Sequence, residues 1–247
     1  MQSKQQIYVI GDIHGQLEKL EDAIGKIECD GGSGERVVFL GDYVDRGPDS
    51  RGVIDYLMRG IASGENWVCI TGNHDEMFSM FMEEQPRTPE RISSHYHWLH
   101  DIIGGKETLG SYGVSLDDID GKPDFHTEAR ALVPRTHIDF IDSLPYSHQQ
   151  GDLLFVHAGI RPGVPVEQQE DEDLLWIRQE FLQDTRTHPM LVVHGHTPVN
   201  VATNYGNRVN LDTGAGYGNQ LTTAVFEGTD CWVLTDSGRL AMLPQQG

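Results

Sequence analysis

Val37-Val-Phe-Leu-Gly-Asp-Tyr-Val-Asp-Arg-Gly47 passes from four apolar residues straight into a glycine-bounded block holding two carboxylates and a guanidinium. A short apolar run of this kind reads as a strand buried on both faces, as in a parallel sheet. The polar block then falls at the carboxyl end of that strand, where open α/β sheets gather their ligands. The same order recurs along the chain. Residues 7–10 precede Gly-Asp-Ile-His-Gly at 11–15, and residues 68–70 come just before Gly-Asn-His-Asp at 72–75. Residues 153–156 precede His-Ala-Gly at 157–159, and residues 191–193 come just before Gly-His-Thr at 195–197. Any one block alone is an ordinary turn. Five in order, each behind an apolar run, predict an α/β fold with one shared site.

Spacing and residue type set the chemistry. Asp12 and His14 stand two residues apart, so an extended strand end turns both to the same side. Asp42 follows the second strand, where a carboxylate can bridge two cations with its two oxygens. Asn73 offers a neutral amide oxygen, and His157 and His196 offer imidazole nitrogens. Such a set, with no thiolate, suits manganese, iron or zinc better than a soft-metal site. Two divalent cations about 3.5–4 Å apart clamp a phosphoryl group and lower the pKa of water between them. The pattern predicts a two-metal hydrolase of phosphate esters, holding manganese, iron or zinc.

Outside the blocks the reading is coarser. Leu17, Leu20, Ile24 and Ile27 recur at helical spacing over 16–27, and Pro48 opens a second helix at 49–59 with Val53, Ile54 and Leu57 inward. Between about 76 and 144 the pattern turns mainly helical, including 92–103 and 129–143. This segment is expected as an insertion beside the site, within a single domain over 1–247. After Pro198 come five strand-like runs, at 199–203, 208–211, 221–226, 231–234 and 240–243. They read as the second, antiparallel-rich half of a sandwich.

In order and residue type, the five blocks resemble the phosphoprotein phosphatase branch of the calcineurin-like metallophosphoesterase superfamily, in its bacterial and lambda-phage style. Gly-Gly-Lys-Glu-Thr-Leu-Gly-Ser-Tyr-Gly at 104–113, Leu-Leu-Trp-Ile-Arg at 174–178 and residues 210–218 add to the likeness. The resemblance implies a four-layer αββα sandwich. It implies one metal site from Asp12, His14 and Asp42, and a second from Asp42, Asn73, His157 and His196. It also implies that His74 is the general acid, that Asp45 orients and charges it, and that Arg46 and Arg178 hold phosphoryl oxygens. A hydroxide between the metals would attack, with no covalent phosphoenzyme. Related diadenosine tetraphosphate hydrolases resemble the chain in the first and third blocks. The acidic Asp45 in an intact second block leans the reading toward phosphomonoesters on serine, threonine or tyrosine of phosphoproteins, or on small molecules. Nucleotide pyrophosphohydrolysis is the alternative, and a catalytically silent phospho-binding module stands behind both.

Composition narrows the partners. With 38 acidic and 18 basic residues the formal charge is −20, which repels nucleic acid and anionic membrane. An anionic substrate must then be drawn by local cations: the metals, Arg46 and Arg178. Cys29, Cys69 and Cys231 are isolated, against a disulfide framework or thiolate zinc site. No leader-like segment or apolar run near 18 residues appears, so a cytoplasmic enzyme is expected. His95, His97 and His100 share no helix face and predict no further metal site. The acidic residues 170–173 read as a helix start. Residues 171–182 read as one helix, whose Arg178 must leave the apolar face to reach the site or else pair with Glu172, Asp173 or Asp184. His194, two before His196, is expected to touch substrate or stand behind a ligand.

Overall fold

The apolar runs become the strands of two facing sheets. In the computed structural model, which describes residues 6–31, 34–93, 95–116 and 125–245, β1 (Gln6–Ile10), β2 (Arg36–Phe39) and β3 (Trp67–Cys69) pair in parallel. The second sheet has β5 (Leu153–Val156), β6 (Leu191–His194) and β8 (Arg208–Asn210) in parallel at its centre. Its edges are the antiparallel β4 (Ser147–Gln150) and β7 (Thr203–Asn204). Alternation along each strand sends one set of side chains between the sheets. Val9, Val38, Leu40 and Ile70 meet Phe155, Val193, Val209 and Leu211 there, all without solvent exposure.

Helices cover the outer faces. On the first sheet lie α1 (Leu17–Gly31) and α2 (Ser50–Ser63), whose inward residues are Leu20, Ala23, Ile24 and Ile27, and Val53, Ile54 and Leu57. The Asp49 side chain caps α2 by accepting from Gly52 N at 2.8 Å, and Gly64 ends it in the left-handed region at φ 91°. That aspartate contributes about 1 kcal/mol. Among the described residues, four more helices lie between β3 and β4: α3 (Asn73–Met82), α4 (Gly105–Ser111), α5 (Phe125–Leu132) and α6 (Arg135–Asp142). On the second sheet, α7 (Asp171–Trp176) and α8 (Gln179–Leu182) cover Leu154, Val156 and Val192 with Leu174 and Phe181. The four-layer αββα sandwich is thus present. No helix among the described residues is long and apolar enough to cross a membrane.

The structure corrects the sequence reading in four places. The described residues 92–93 and 95–103 form turns and bends, not a helix, and the indole of Trp98 is drawn inward onto Asp45 at 3.0 Å. The expected helical stretch 129–143 is two helices divided at Val133–Pro134, since proline has no N–H to continue the first. The strands after Pro198 do not build one sheet. β7 and β8 stay in the second, whereas β9 (Thr223–Glu227), β10 (Asp230–Thr235) and β11 (Gly238–Ala241) cross back and extend the first from β1. Residues 171–182 also break, at Ile177–Arg178, between α7 and α8. Residues 117–124, within the expected insertion, lie outside the described residues.

Candidate dinuclear metal centre

Every predicted ligand lies at a strand's carboxyl end, and the two sheets aim those ends at one point. Asp12 and His14 follow β1, Asp42 to Arg46 follow β2, and Asn73 and His74 open α3 just beyond β3. His157 follows β5 and His196 follows β6. The backbone there is contorted. Among the described residues, the non-glycine positions with positive φ are His14 (49°), Asp42 (54°), Asp45 (73°), Arg46 (66°) and His196 (65°). All belong to the predicted set, and strain of this kind persists where surrounding bonds over-determine it.

Those bonds centre on Asp75. Its carboxylate, with no solvent exposure, accepts from Asp42 N and Tyr43 N at 2.8 Å and from Gly72 N at 2.9 Å. It ties the loop after β2 to the start of α3, and so Asp42 to Asn73 and His74. Two glycines make the approach feasible. A Cβ on Gly72 would lie 2.2 Å from Asp42 Oδ1, and one on Gly195 would lie 1.9 Å from Asp12 Oδ1.

The donor atoms fit cations. Asp42 presents Oδ2 to His14 Nε2 and Oδ1 to His157 Nε2, each at 3.4 Å, so its two oxygens face two sides. His14 Nδ1 meets the carbonyl of Val44 and His157 Nδ1 that of Leu40, both at 2.8 Å. A carbonyl only accepts, so each Nδ1 carries the proton and each Nε2 turns a lone pair inward. The His157 lone pair then faces Asn73 Oδ1 at 2.8 Å, and His196 Nδ1 reaches the same oxygen at 2.8 Å. Two acceptors in contact are resolved by a shared cation. Asp12 receives His196 N on Oδ2 at 2.9 Å, while its buried Oδ1 has no partner. Asp12, Asp42 and His157 place ligand atoms within 4.8 Å of one another, and so do His14, Asp42 and His74. His74, expected only as an acid, thus borders the cluster directly.

Electrostatics agree. Burial, with Arg46 nearby, holds the His14 pKa well below the imidazole range; burial holds His196 well below it too, and lowers His157. Neutral imidazole is the form that ligates. Burial, with Asp212 and Asp42 beside it, pushes the Asp12 carboxyl well above its ordinary range. A cation relieves such crowding. Asp212, also buried, accepts from Gly214 N at 2.9 Å, and burial pushes its pKa up to about 6.

The predicted catalytic side chains gather at the same place. His74 Nδ1 meets Asp45 Oδ2 at 2.6 Å. Asp45, fully buried, also accepts from Trp98 Nε1 and from Thr108 Oγ1, the latter at 2.8 Å. Burial raises its pKa against these bonds. The Arg46 guanidinium reaches His14 Nε2 at 2.5 Å and His74 Nε2 at 2.9 Å. Arg178 precedes α8 at φ −132° and ψ −96°, outside helical geometry. That break sends its Nε to His196 Nε2 at 3.0 Å. The carboxylates that could have held it at the surface are engaged: Asp173 with Arg161 and Arg91, Glu172 with Arg91, and Asp184 with Arg186.

Other sequence expectations fall away from the centre. His194 is fully buried, so it does not meet substrate. It donates to the Gly195 carbonyl at 3.0 Å and accepts from Arg208 at 3.1 Å, supporting the segment that carries His196. His95 and His97 are exposed. The potential metal groups among the described residues are those at the centre. Sequence reasoning passed over Asp75, Trp98, Thr108 and Asp212. Asp75 carried a signal as the last residue of the third block, and Thr108 and Asp212 lay within the stretches 104–113 and 210–218 that add to the family likeness; Trp98 carried none.

The fold and this donor set define a metallophosphoesterase. Residues 6–222 match the calcineurin-like phosphoesterase family model, and the chain belongs to that family. The chain is 25% identical over 239 residues to a bis(5′-nucleosyl)-tetraphosphatase PrpE [asymmetrical] of Bacillus mycoides, with 87% of each chain covered. Among solved structures, it resembles a putative diadenosine tetraphosphatase with a TM-score of 0.65 at 20% identity, over 99% of this chain and 96% of the other. A cold-active protein-tyrosine phosphatase of a psychrophilic Shewanella sp. gives 0.65 at 14% identity, over 97% and 80%.

Two substitutions test the centre. Asp42→Asn should remove divalent metal from both positions by elemental analysis and take hydrolysis below detection, with circular dichroism unchanged. Wild-type metal content in that variant would refute a shared bridge. Asp75→Asn, which sets an amide N–H₂ among three N–H donors, should weaken metal binding about 10–100-fold by titration. Unchanged affinity would confine Asp75 to holding the fold.

Proposed function

We propose that the chain hydrolyses nucleoside polyphosphates of the bis(5′-nucleosyl)-tetraphosphate type, cutting a phosphoanhydride bond into unequal halves. The carrying observation is the likeness to a tetraphosphatase over 87% of both chains. The site supports it in one respect. Arg46 stands at the His14–His74 end of the cluster and Arg178 at the His196 end. Two separated guanidiniums suit a substrate whose charge is spread along a chain of phosphates.

In this reading Asp12, His14 and Asp42 hold one cation, and Asp42, Asn73, His157 and His196 hold the other, with manganese the proposed metal. When bound, the cations supply Lewis-acid polarisation of the phosphoryl group and activation of water. The chain's own residues bind, orient and deliver a proton. Arg46 and Arg178 fix phosphoryl oxygens with planar forks that lysine cannot reproduce. Asp45 holds His74 by Nδ1; Nε2, here an acceptor from Arg46 at 2.9 Å, delivers a proton to the leaving oxygen once Arg46 has turned onto the phosphate and Nε2 has taken a proton from solvent.

A second reading rests on that same pair. A phosphate leaving group is a weak base and departs without much help, whereas a serine or tyrosine oxygen leaves far better when protonated. The intact His74–Asp45 contact at 2.6 Å therefore favours phosphomonoesters, phosphoproteins included, as further substrates.

A panel of dinucleoside tetraphosphate, phosphoserine peptide and phosphodiester separates the readings. The tetraphosphate should show the highest kcat/KM, and a clear lead for the phosphopeptide would move the assignment to a protein phosphatase. His74→Asn should slow an alkyl phosphate by about 10²-fold or more. Its effect on the tetraphosphate, or on an activated aryl phosphate, should be under about tenfold, as expected where proton transfer contributes little. Equal losses on all three would mean that His74 does not act as the acid.

A further inference from the structure

Tyr217 stands at the rim of the cluster and has no part in the chemistry above. It closes the short 3-10 turn Ala215–Tyr217 between β8 and β9 and is 59% exposed. Its ring centre lies 4.6 Å from the guanidinium carbon of Arg46. That guanidinium is the group that reaches His14 and His74, so the ring is one side chain away from the reacting phosphate.

The turn that displays this ring is held firmly. Gly214 and Gly218 flank it in the left-handed region, at φ 79° and 90°. Lys19 Nζ, reaching over from α1, donates to the carbonyls of Ala215 at 3.1 Å and Asn219 at 2.8 Å. Asn219 Nδ2 closes the loop on the Thr213 carbonyl at 3.0 Å. Gly216 packs so tightly on His14 that a Cβ would come within 2.8 Å of the imidazole. A large aromatic left in water on a pinned turn, with a cation against it, is placed to stack rather than to fill a core.

We infer that Tyr217 is a specificity-determining residue that stacks an aromatic group joined to the phosphate held by Arg46. On the reading proposed above, which this inference rests on and deepens, that group is a nucleobase. Stacking engages the π-face that every base has, so the platform selects aromatic over aliphatic phosphates without strongly preferring one base.

The test compares wild type, Tyr217→Phe and Tyr217→Ala, all metal-loaded. Binding of adenosine 5′-monophosphate and of inorganic phosphate is measured by calorimetry, beside KM and kcat for three phosphates. These are dinucleoside tetraphosphate, an aryl phosphate and an alkyl phosphate. Tyr217→Ala should weaken the nucleotide about tenfold, a change within the range for loss of one stacked base, and leave inorganic phosphate unchanged. It should raise KM for the two aromatic substrates with kcat nearly constant, and Phe should behave as wild type. Equal weakening of nucleotide and phosphate would mean that Tyr217 only props Arg46, and no change in either would leave it without a role in binding. Both results overturn the platform. If wild type does not cleave the tetraphosphate, the nucleotide reading falls alone. The aryl and alkyl pair then decides the platform, which fails if Tyr217→Ala leaves their KM ratio unchanged.

Discussion

Asp12, Asp42, Asp45, Asp75 and Asp212 are buried around one point, and most of the structure serves to make that tolerable. A carboxylate out of water needs donors or a cation. Asp75 has three backbone N–H groups, and Asp45 has an indole, a hydroxyl and an imidazole. Asp42 lies between two imidazoles. Asp12 is left with one oxygen unpaired. The balance of negative charge is thus unmet by protein groups alone at the place where imidazole lone pairs also point. This is the physical case for divalent cations, and it rests on donor geometry rather than on family likeness.

The same constraint explains what was legible in the sequence. Residues that must sit at strand ends, three of the six with left-handed backbone, come in short blocks beside glycine, so Asp12, His14, Asp42, Asn73, His157 and His196 could be picked out by position. The apolar runs before them marked the central strands of both sheets for the same reason. Supporting residues leave no such trace. Trp98 and Thr108 reach Asp45 across more than fifty residues of chain; nothing local separates Trp98 from a core position, and the motif at 104–113 that holds Thr108 does not say what its hydroxyl meets. Residues 92–103 misled because an apolar pattern at helical spacing does not reveal that Trp98 serves a hydrogen bond. Arg178 was found by its short motif, yet a continuous helix over 171–182 was expected. The break that frees the side chain depends on its contact with His196, a tertiary fact.

Strand register and strand destination were equally out of reach. β9 to β11 have the alternation of an antiparallel unit, which says nothing about which sheet receives them. Their return to β1 has consequences for the site. Pairing of Ile10 with Thr223 brings the β8–β9 connection over the mouth of the cluster, and with it Asp212 and the turn that packs on His14.

Reaction and selectivity thus come from different parts of the chain. Strand ends from both sheets supply the cation ligands, and their positions are fixed by parallel pairing and the apolar layer between the sheets. Asp45, Arg46 and His74 stand on those same strand ends, and the groups that brace them or approach the cluster from outside come from elsewhere. The segment between β3 and β4 gives Trp98 and Thr108 to Asp45, which in turn holds His74. Arg178 comes from a broken helix on the second sheet, and Tyr217 from the β8–β9 turn. A protein that varied these outer pieces could pass between anhydrides and monoesters with its metal ligands untouched. Under the proposed roles, the His74–Asp45 pair and Arg46 share the strand ends after β2 and β3, while Arg178 approaches from the second sheet, so one cluster meets an acid pair and two separated guanidiniums.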